Sequence, residues 1–335
     1  MAEFKVVVSD YILPDLEIER EAVEAVGAEF VVGQSESVAE LIELAHDADA
    51  MFNTYFGPIG DEVYEACPKL KVVVRFGIGY DTIDVEAATR HGVMAVNVPD
   101  YCIEEVSDHA IGLWLALGRK IVSADRMVRT GEWGMKPLQP VLKLQGQRVG
   151  IVGLGRIGRR TAQKLGAFGV ELLFADPYVD AAPDLGVDIE KVELGELCRR
   201  SDAITLHALS NNETHHLINA ECFGLMGQNP ILVNTARARL VDTDALVDAL
   251  EKGQIRAAGL DLVEGEELAA DHPLMQMDQV VITPHVAWYS EASIVELRRK
   301  AAQEVVRVLQ GGKPLNLLNP EVEPRYRAPA PANPR

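Results

Sequence analysis

The stretch VGIVGLGRIG, Val149 to Gly158, decides the fold. Val149 to Val152 is short, apolar and rich in β-branched residues, so it reads as a buried strand. Gly153-Leu154-Gly155-Arg156-Ile157-Gly158 follows at once, and Arg159 to Phe168 then carries helical spacing through Ala162, Leu165 and Phe168. Strand, glycine turn and helix in that order is what a dinucleotide pyrophosphate requires. Gly153 permits the tight turn, Gly155 lets backbone approach phosphate, and Gly158 lets the helix sit close on the strand. The N-terminus of that helix supplies N–H groups and a positive dipole end. A second strand, Val170 to Ala175, ends in Asp176, eighteen residues after Gly158. An acid there accepts hydrogen bonds from both adenosine ribose hydroxyls and repels a 2′-phosphate, which predicts NAD rather than NADP.

Strand and helix signals alternate on both sides of this unit. Upstream, strands read at Phe4–Ser9, Ala28–Val32, Ala50–Tyr55, Leu70–Arg75 and Val93–Val98, with helices at Leu16–Val26, Ser37–His46 and Val85–His91. They predict a parallel α/β domain over 1–100 that lacks a dinucleotide fingerprint. Its glycine loop, Gly77-Ile78-Gly79, follows the strand ending in Arg75, where backbone N–H groups and a guanidinium suit a carboxylate. Beyond Pro99, Ile103, Val106, Ala110, Leu113, Trp114, Leu117 and Ile121 mark one face of a long helix. That face suits a subunit interface or burial within the chain. Gly112 and Gly118 on this helix predict close packing against another backbone. Downstream, strands at Ala203–His207, Ile231–Asn234, Ala257–Leu260 and Val280–Thr283 complete a doubly wound Rossmann domain over 101–289. The last helix is expected to open at Ser293 with Glu296 as its capping-box partner. Prolines and sparse apolar groups predict a disordered tail over 321–335.

Composition sets the outer limits. The 335 residues are enough for two domains, and the net charge of −19 argues against nucleic acid or an anionic membrane surface as partner. No signal peptide precedes the first strand and no apolar run reaches spanning length, so the expectation is a cytoplasmic protein. Cys67, Cys102, Cys198 and Cys222 show no CxxC pair and read as reduced thiols. His207, His215 and His216 cluster, but no carboxylate motif accompanies them, and no metal is expected.

Three polar groups follow the ends of late Rossmann strands. Arg237 follows Asn234-Thr235-Ala236, Glu266 lies in GLDLVEGEE five residues after Asp261, and His285 follows Thr283-Pro284. Together they meet the needs of hydride transfer at a 2-hydroxy acid. A guanidinium grips carboxylate and carbonyl oxygens, a histidine gives or takes the hydroxyl proton, and a carboxylate beside it fixes its tautomer.

On these motifs the chain resembles the D-isomer-specific 2-hydroxyacid dehydrogenase family from about residue 48 to 312. RFGIGYDTID, NVP, HHLIN, NTAR and TPHVAWYSEAS further resemble its C-terminal-binding-protein branch. The resemblance implies a Rossmann coenzyme domain inserted into a flavodoxin-like substrate domain made of 1–100 and 290–320. It implies a homodimer through the coenzyme domain and an active site in the cleft. It also implies Arg237 on substrate, His285 as acid/base and Glu266 as its partner. Gly77, Ile78, Gly79 and Arg75 would seat a carboxylate, and Trp288 would wall the substrate. Arg156, Ile157, Asp176, Thr235, Ala236, Arg237, Asp261 and His285 would line the NAD site, Asp261 near the nicotinamide amide. Ala238 stands where the family usually has Gly, and Glu267 where it usually has Pro. The expected reaction interconverts a small 2-keto acid and its D-2-hydroxy acid. Hydroxypyruvate, glyoxylate and bulkier aromatic or thioether keto acids all remain open. The alternative function is an NAD-sensing corepressor-like scaffold with little turnover.

Overall fold

A computed structural model of the chain describes residues 3–181, 184–265 and 267–325. In chain order the elements are β1 (Lys5–Val8), α1 (Glu17–Glu24), β2 (Glu29–Val32), α2 (Val38–Ala45), β3 (Ala50–Asn53), α3 (Asp61–Ala66), β4 (Val72–Arg75), α4 (Val85–Arg90) and β5 (Met94–Val96). Next come α5 (Ile103–Gly118), α6 (Ile121–Arg129), β6 (Arg148–Val152), α7 (Arg156–Leu165), β7 (Glu171–Ala175), β8 (Ile189–Lys191), α8 (Leu194–Arg200) and β9 (Ala203–Leu206). The chain then forms α9 (Ala220–Leu225), β10 (Ile231–Asn234), α10 (Thr243–Glu251), β11 (Ala257–Leu260), α11 (Pro273–Gln276), β12 (Val280–Ile282) and α12 (Glu291–Leu309).

Contacts divide the chain into two compact units, one of residues up to Tyr101 with those from Ser290 onward, the other Cys102–Tyr289. The first unit carries a five-stranded parallel sheet in the order β2-β1-β3-β4-β5, the flavodoxin-like winding. Its central strands are buried apolar runs because helices cover both faces. The terminal helix α12 belongs here and packs on α1. The buried Arg298 guanidinium grips the fully buried Glu19 carboxylate at 2.8 to 3.1 Å and reaches Asp15 at 2.7 Å.

The second unit carries a seven-stranded parallel sheet in the order β8-β7-β6-β9-β10-β11-β12. This is the dinucleotide-binding winding, which reverses direction between β6 and β9. One core layer joins α5 and α7 to the sheet, and the other lies under α8, α9 and α10. Among the described residues, no helix is long and apolar enough to cross a membrane.

Of the two uses open to the apolar face of α5, the structure shows burial inside its own unit, where Ala110, Leu113, Trp114 and Leu117 join the core. Four local expectations are corrected. The helix stops at Gly118 before a left-handed Lys120, so Ile121 is not on it. Gly118 does sit tightly, since a Cβ there would meet Leu144 at 2.7 Å, but Gly112 faces open space. The cap of α12 lies three residues earlier than expected. Ser290 is extended, its hydroxyl accepts from Ser293 N–H, and the Ser293 side chain returns the bond, so Glu296 has no part in the box. Residues 321–325, assigned by their composition to a disordered tail, pack on the first unit: Val322 is buried and Arg325 donates to the carbonyls of Tyr64 and Cys67. Residues 326–335 lie outside the described residues.

Candidate active site

The glycine turn is built as its spacing requires. Gly153 has φ +89°, and a Cβ on it would lie 2.6 Å from Ala208 N across the switch point. A Cβ on Gly158 would lie 2.1 Å from the Gly153 carbonyl oxygen, so α7 can approach β6 only through glycine. Gly155 differs: a Cβ there would meet nothing within 4 Å. It caps α7 without any side-chain hydrogen bond, and the first turn holds Arg156 and no acid. The open space in front of uncapped N–H groups fits a pyrophosphate. Asp176 follows the end of the adjacent strand β7. Its carboxylate accepts from Leu154 N–H at 2.7 Å and Tyr178 N–H at 2.9 Å. A carboxylate offers about four acceptor positions, so capacity remains for two ribose hydroxyls. Thr235, just past β10, is buried with an unpartnered hydroxyl among the described residues. These residues fit a bound dinucleotide.

At the far side of the switch point, β10, β11 and β12 are neighbours in register, with Asn234 level with Leu260 and Leu260 with Ile282. Arg237, Asp261 and His285 therefore follow three adjacent strand ends. The Asn234 side chain fixes the first of these loops, accepting from Ala236 N–H at 3.0 Å and donating to Arg237 O at 2.8 Å. The Arg237 guanidinium donates to Ala236 O at 2.8 Å. His285 sits at φ +54°, a left-handed conformation uncommon outside glycine. Its N–H donates to Asp261 O at 2.8 Å, and Trp288 Nε1 donates to His285 O at 2.9 Å. Glu266 lies outside the described residues.

Asp261 is 1% exposed, and its carboxylate is an internal acceptor. It takes the N–H groups of Val286 and Ala287 at 3.0 and 2.9 Å and the Thr283 hydroxyl at 2.5 Å. His109 on α5 approaches Thr283 Oγ1 at 2.9 Å. Sequence reading missed His109 and the role of Thr283, because neither belongs to a local pattern.

The histidine cluster needs one correction. His216 Nε2 lies 3.1 Å from the Glu264 carboxylate, so a carboxylate does accompany the pair, and ligand atoms of His215, His216 and Glu264 lie within 4.8 Å. The two rings are stacked at 3.9 Å with 25° between planes. Imidazole lone pairs lie in the ring plane, so rings stacked this way do not converge on one ion. Glu264 also accepts from Thr243 Oγ1 at 3.0 Å, which anchors the loop that follows Asp261. His207, past β9, contacts Thr205 Oγ1 at 3.0 Å, and burial pushes its pKa down to about 3, so it is neutral at pH 7. All four cysteines are free and buried.

In the first unit the loop Gly77-Ile78-Gly79 follows β4. Gly77 has φ +147°, and a Cβ there would collide with the Arg75 guanidinium at 1.5 Å, so glycine is what lets Arg75 fold over the loop. The expectation that all three N–H groups face a ligand is corrected at Gly77, whose N–H turns back to Arg75 O at 2.9 Å. Asn97 Nδ2 pins Ile78 O at 2.6 Å.

Known proteins agree with this geometry. The model of the D-isomer specific 2-hydroxyacid dehydrogenase NAD binding domain matches residues 111–287. A glyoxylate reductase of Korarchaeum cryptofilum is 38% identical over 84% of this chain and 86% of its own. A D-3-phosphoglycerate dehydrogenase of Methanocaldococcus jannaschii is 39% identical over 84% of this chain and 53% of its own. Among solved structures, a D-lactate dehydrogenase of Aquifex aeolicus with NAD and lactic acid has a TM-score of 0.84 at 28% identity, covering 93% of this chain and 98% of its own. An NADPH-dependent glyoxylate/hydroxypyruvate reductase of Sinorhizobium meliloti with NADP and malonate has a TM-score of 0.85 at 29% identity, covering 98% and 100%. With the coenzyme winding, the glycine turn and these relatives in agreement, the chain belongs to the D-isomer specific 2-hydroxyacid dehydrogenase family, nicotinamide-dependent oxidoreductases that interconvert 2-hydroxy and 2-keto acids by hydride transfer to or from the nicotinamide.

Proposed function

We propose that this protein is an NADH-dependent reductase of a small 2-keto acid, yielding the D-2-hydroxy acid. The observation that carries the reading is the delivery of Arg237 and His285 from the level ends of β10 and β12, the two strands that flank β11, with His285 held in a left-handed turn. Bound nicotinamide supplies the hydride, which goes to carbon 2 of the substrate. Arg237 binds the carboxylate and carbonyl oxygens and draws electron density toward the carbonyl oxygen. His285 gives that oxygen its proton, and Glu266, the partner that the family resemblance implies, would favour the imidazolium form. Asp261 also stands near the amide of the nicotinamide in this reading. In the first unit, the Ile78 and Gly79 N–H groups with Arg75 are donors suited to a carboxylate, and in the second Trp288 is the expected wall for the substituent.

Asp176 supports NAD over NADP, because its ionised carboxylate at the ribose repels a 2′-phosphate. Ile121, Val128, Trp133, Met135, Val141 and Leu142 are exposed in one run of the coenzyme unit, which supports a homodimer with a second copy as the occupant. Four free, buried thiols support a cytoplasmic setting. The net charge of −19 gives no support to a nucleic-acid or membrane partner.

The test is NADH oxidation against glyoxylate, hydroxypyruvate, pyruvate, phenylpyruvate and a methylthio keto acid. Turnover that falls by about 10²- to 10⁴-fold in His285→Ala supports the reading. Tight NADH binding without turnover on any of them moves it to the scaffold. Asp176→Ala should improve use of NADPH, and an unchanged preference removes the NAD assignment. Trp133→Glu with Met135→Glu should give a monomer by light scattering, and an intact dimer removes that interface.

A further inference from the structure

The His285 turn requires support, since a non-glycine residue at φ +54° persists only where its surroundings over-determine it. That support comes from the Asp261 carboxylate, which accepts the two N–H groups immediately after His285. The carboxylate is itself aimed by a chain of hydrogen bonds that begins on α5. Thr283 has a single hydroxyl proton, and its oxygen lies 2.5 Å from Asp261 Oδ1. An ionised carboxylate only accepts, so that proton points to Asp261. His109 Nε2, 2.9 Å from the same hydroxyl oxygen, must then donate. Proton accounting thus fixes a hydrogen on His109 Nε2. The same nitrogen lies 3.6 Å from Asp261 Oδ1, close enough to add an attraction of its own.

We infer that His109 and Thr283 are positioning residues of the proposed reaction: through Asp261 they hold the 285–287 backbone and so aim the His285 imidazole. The inference rests on His285 being the acid/base. A donor on α5 is needed because both carboxylate oxygens must stay turned toward the backbone of the turn. Without His109 the Thr283 hydroxyl loses its fixed direction, and without that hydroxyl Asp261 keeps its backbone partners and only the longer 3.6 Å approach of His109.

The experiment uses the full chain and whichever 2-keto acid of the panel is reduced fastest. Thr283→Val keeps shape and removes the hydroxyl. It should lower kcat about tenfold or more, since small misplacement of a reacting group is costly, while the KM for NADH moves less than about threefold. Thr283→Ser should restore kcat. His109→Leu should lower kcat, and His109→Gln, whose amide donates from a similar position, should recover most of it. The double variant His109→Leu/Thr283→Val should be no slower than Thr283→Val alone, because both cut one chain. Imidazole ¹⁵N shifts, assigned with His109→Gln, should show hydrogen on His109 Nε2. Unchanged kcat in Thr283→Val, additive losses in the double variant, or hydrogen only on Nδ1 would overturn the inference. If a variant folds poorly, Thr283→Ser, His109→Gln and the shifts still decide. Full activity in His285→Ala, or no turnover of any panel member, removes the functional reading and this inference together. Loss in His285→Ala with none in Thr283→Val removes the inference alone.

Discussion

At the carboxyl edge of the five-stranded sheet, the buried Asp10 carboxylate accepts the N–H groups of Thr54, Tyr55 and Phe56 at 3.0, 2.5 and 3.1 Å. At the carboxyl edge of the seven-stranded sheet, Asp261 does the same for Val286 and Ala287. Both acids stand just beyond the end of a parallel strand and satisfy a loop that would otherwise bury unpaired donors. The Asp10 loop carries no group that the proposed reaction titrates, whereas the Asp261 loop carries His285. One device therefore serves shape in the first unit and aim in the second, and what differs is the residue mounted on the loop.

Replacing each acid by its amide separates the two uses. Asp261→Asn replaces one of the two accepting oxygens by a donating NH2, so one of the two backbone N–H groups faces a donor, and kcat should fall about 100-fold. Asp10→Asn should leave kcat within about threefold and instead lower the thermal midpoint. Equal kinetic losses would end the distinction.

The two glycine loops sharpen it further. Gly155→Ala meets open space in the protein, so the thermal midpoint should hold while the Kd for NADH, read by fluorescence titration, rises about tenfold. Gly77→Ala must displace Arg75 and strain a φ of +147°, so it should lower both the midpoint and kcat/KM. A Gly155→Ala variant that binds NADH normally would mean that the phosphates lie elsewhere.

A smaller effect, confined to the first unit, is expected at α12. Arg298→Met strands Glu19, which is fully buried, and should cost ~3 kcal/mol in denaturant unfolding. A loss below ~1 kcal/mol would show that Glu19 finds another partner.

The smallest effect concerns pH in the second unit. His207 in the folded chain has a pKa of about 3, below its ordinary 6.5. Between those values the unfolded chain binds the proton and the folded one does not, so stability falls as pH drops through that window. His207→Asn should flatten the midpoint between pH 6.5 and 4.5. Asp15, Asp47 and Asp61 lose their contribution only at lower pH, because Arg298, Lys5 and Arg90 hold their carboxyls below the ordinary range. An unchanged slope in His207→Asn would assign the acid lability to other groups.

What the sequence by itself determined was local. Buried parallel strands read as apolar runs, and the glycines at 153 and 158 each meet a constraint set within a few residues of themselves or at the next strand, while Gly155 faces open space. The positions of Arg237 and His285, each three residues past a strand end, were legible because the strands themselves were. The short helices α3, α8 and α9 and the nine-residue α6 escaped notice, whereas the six-residue α4 was read. Only the tertiary structure decided which serine caps α12, where the apolar face of α5 is spent, and that residues 321–325 pack down. It alone joined His109 to Thr283 across 174 positions of chain. The physical reason is that periodicity and turn chemistry act over one or two turns of chain, whereas the direction of a buried hydrogen bond is set by whichever distant donor the packing brings beside it.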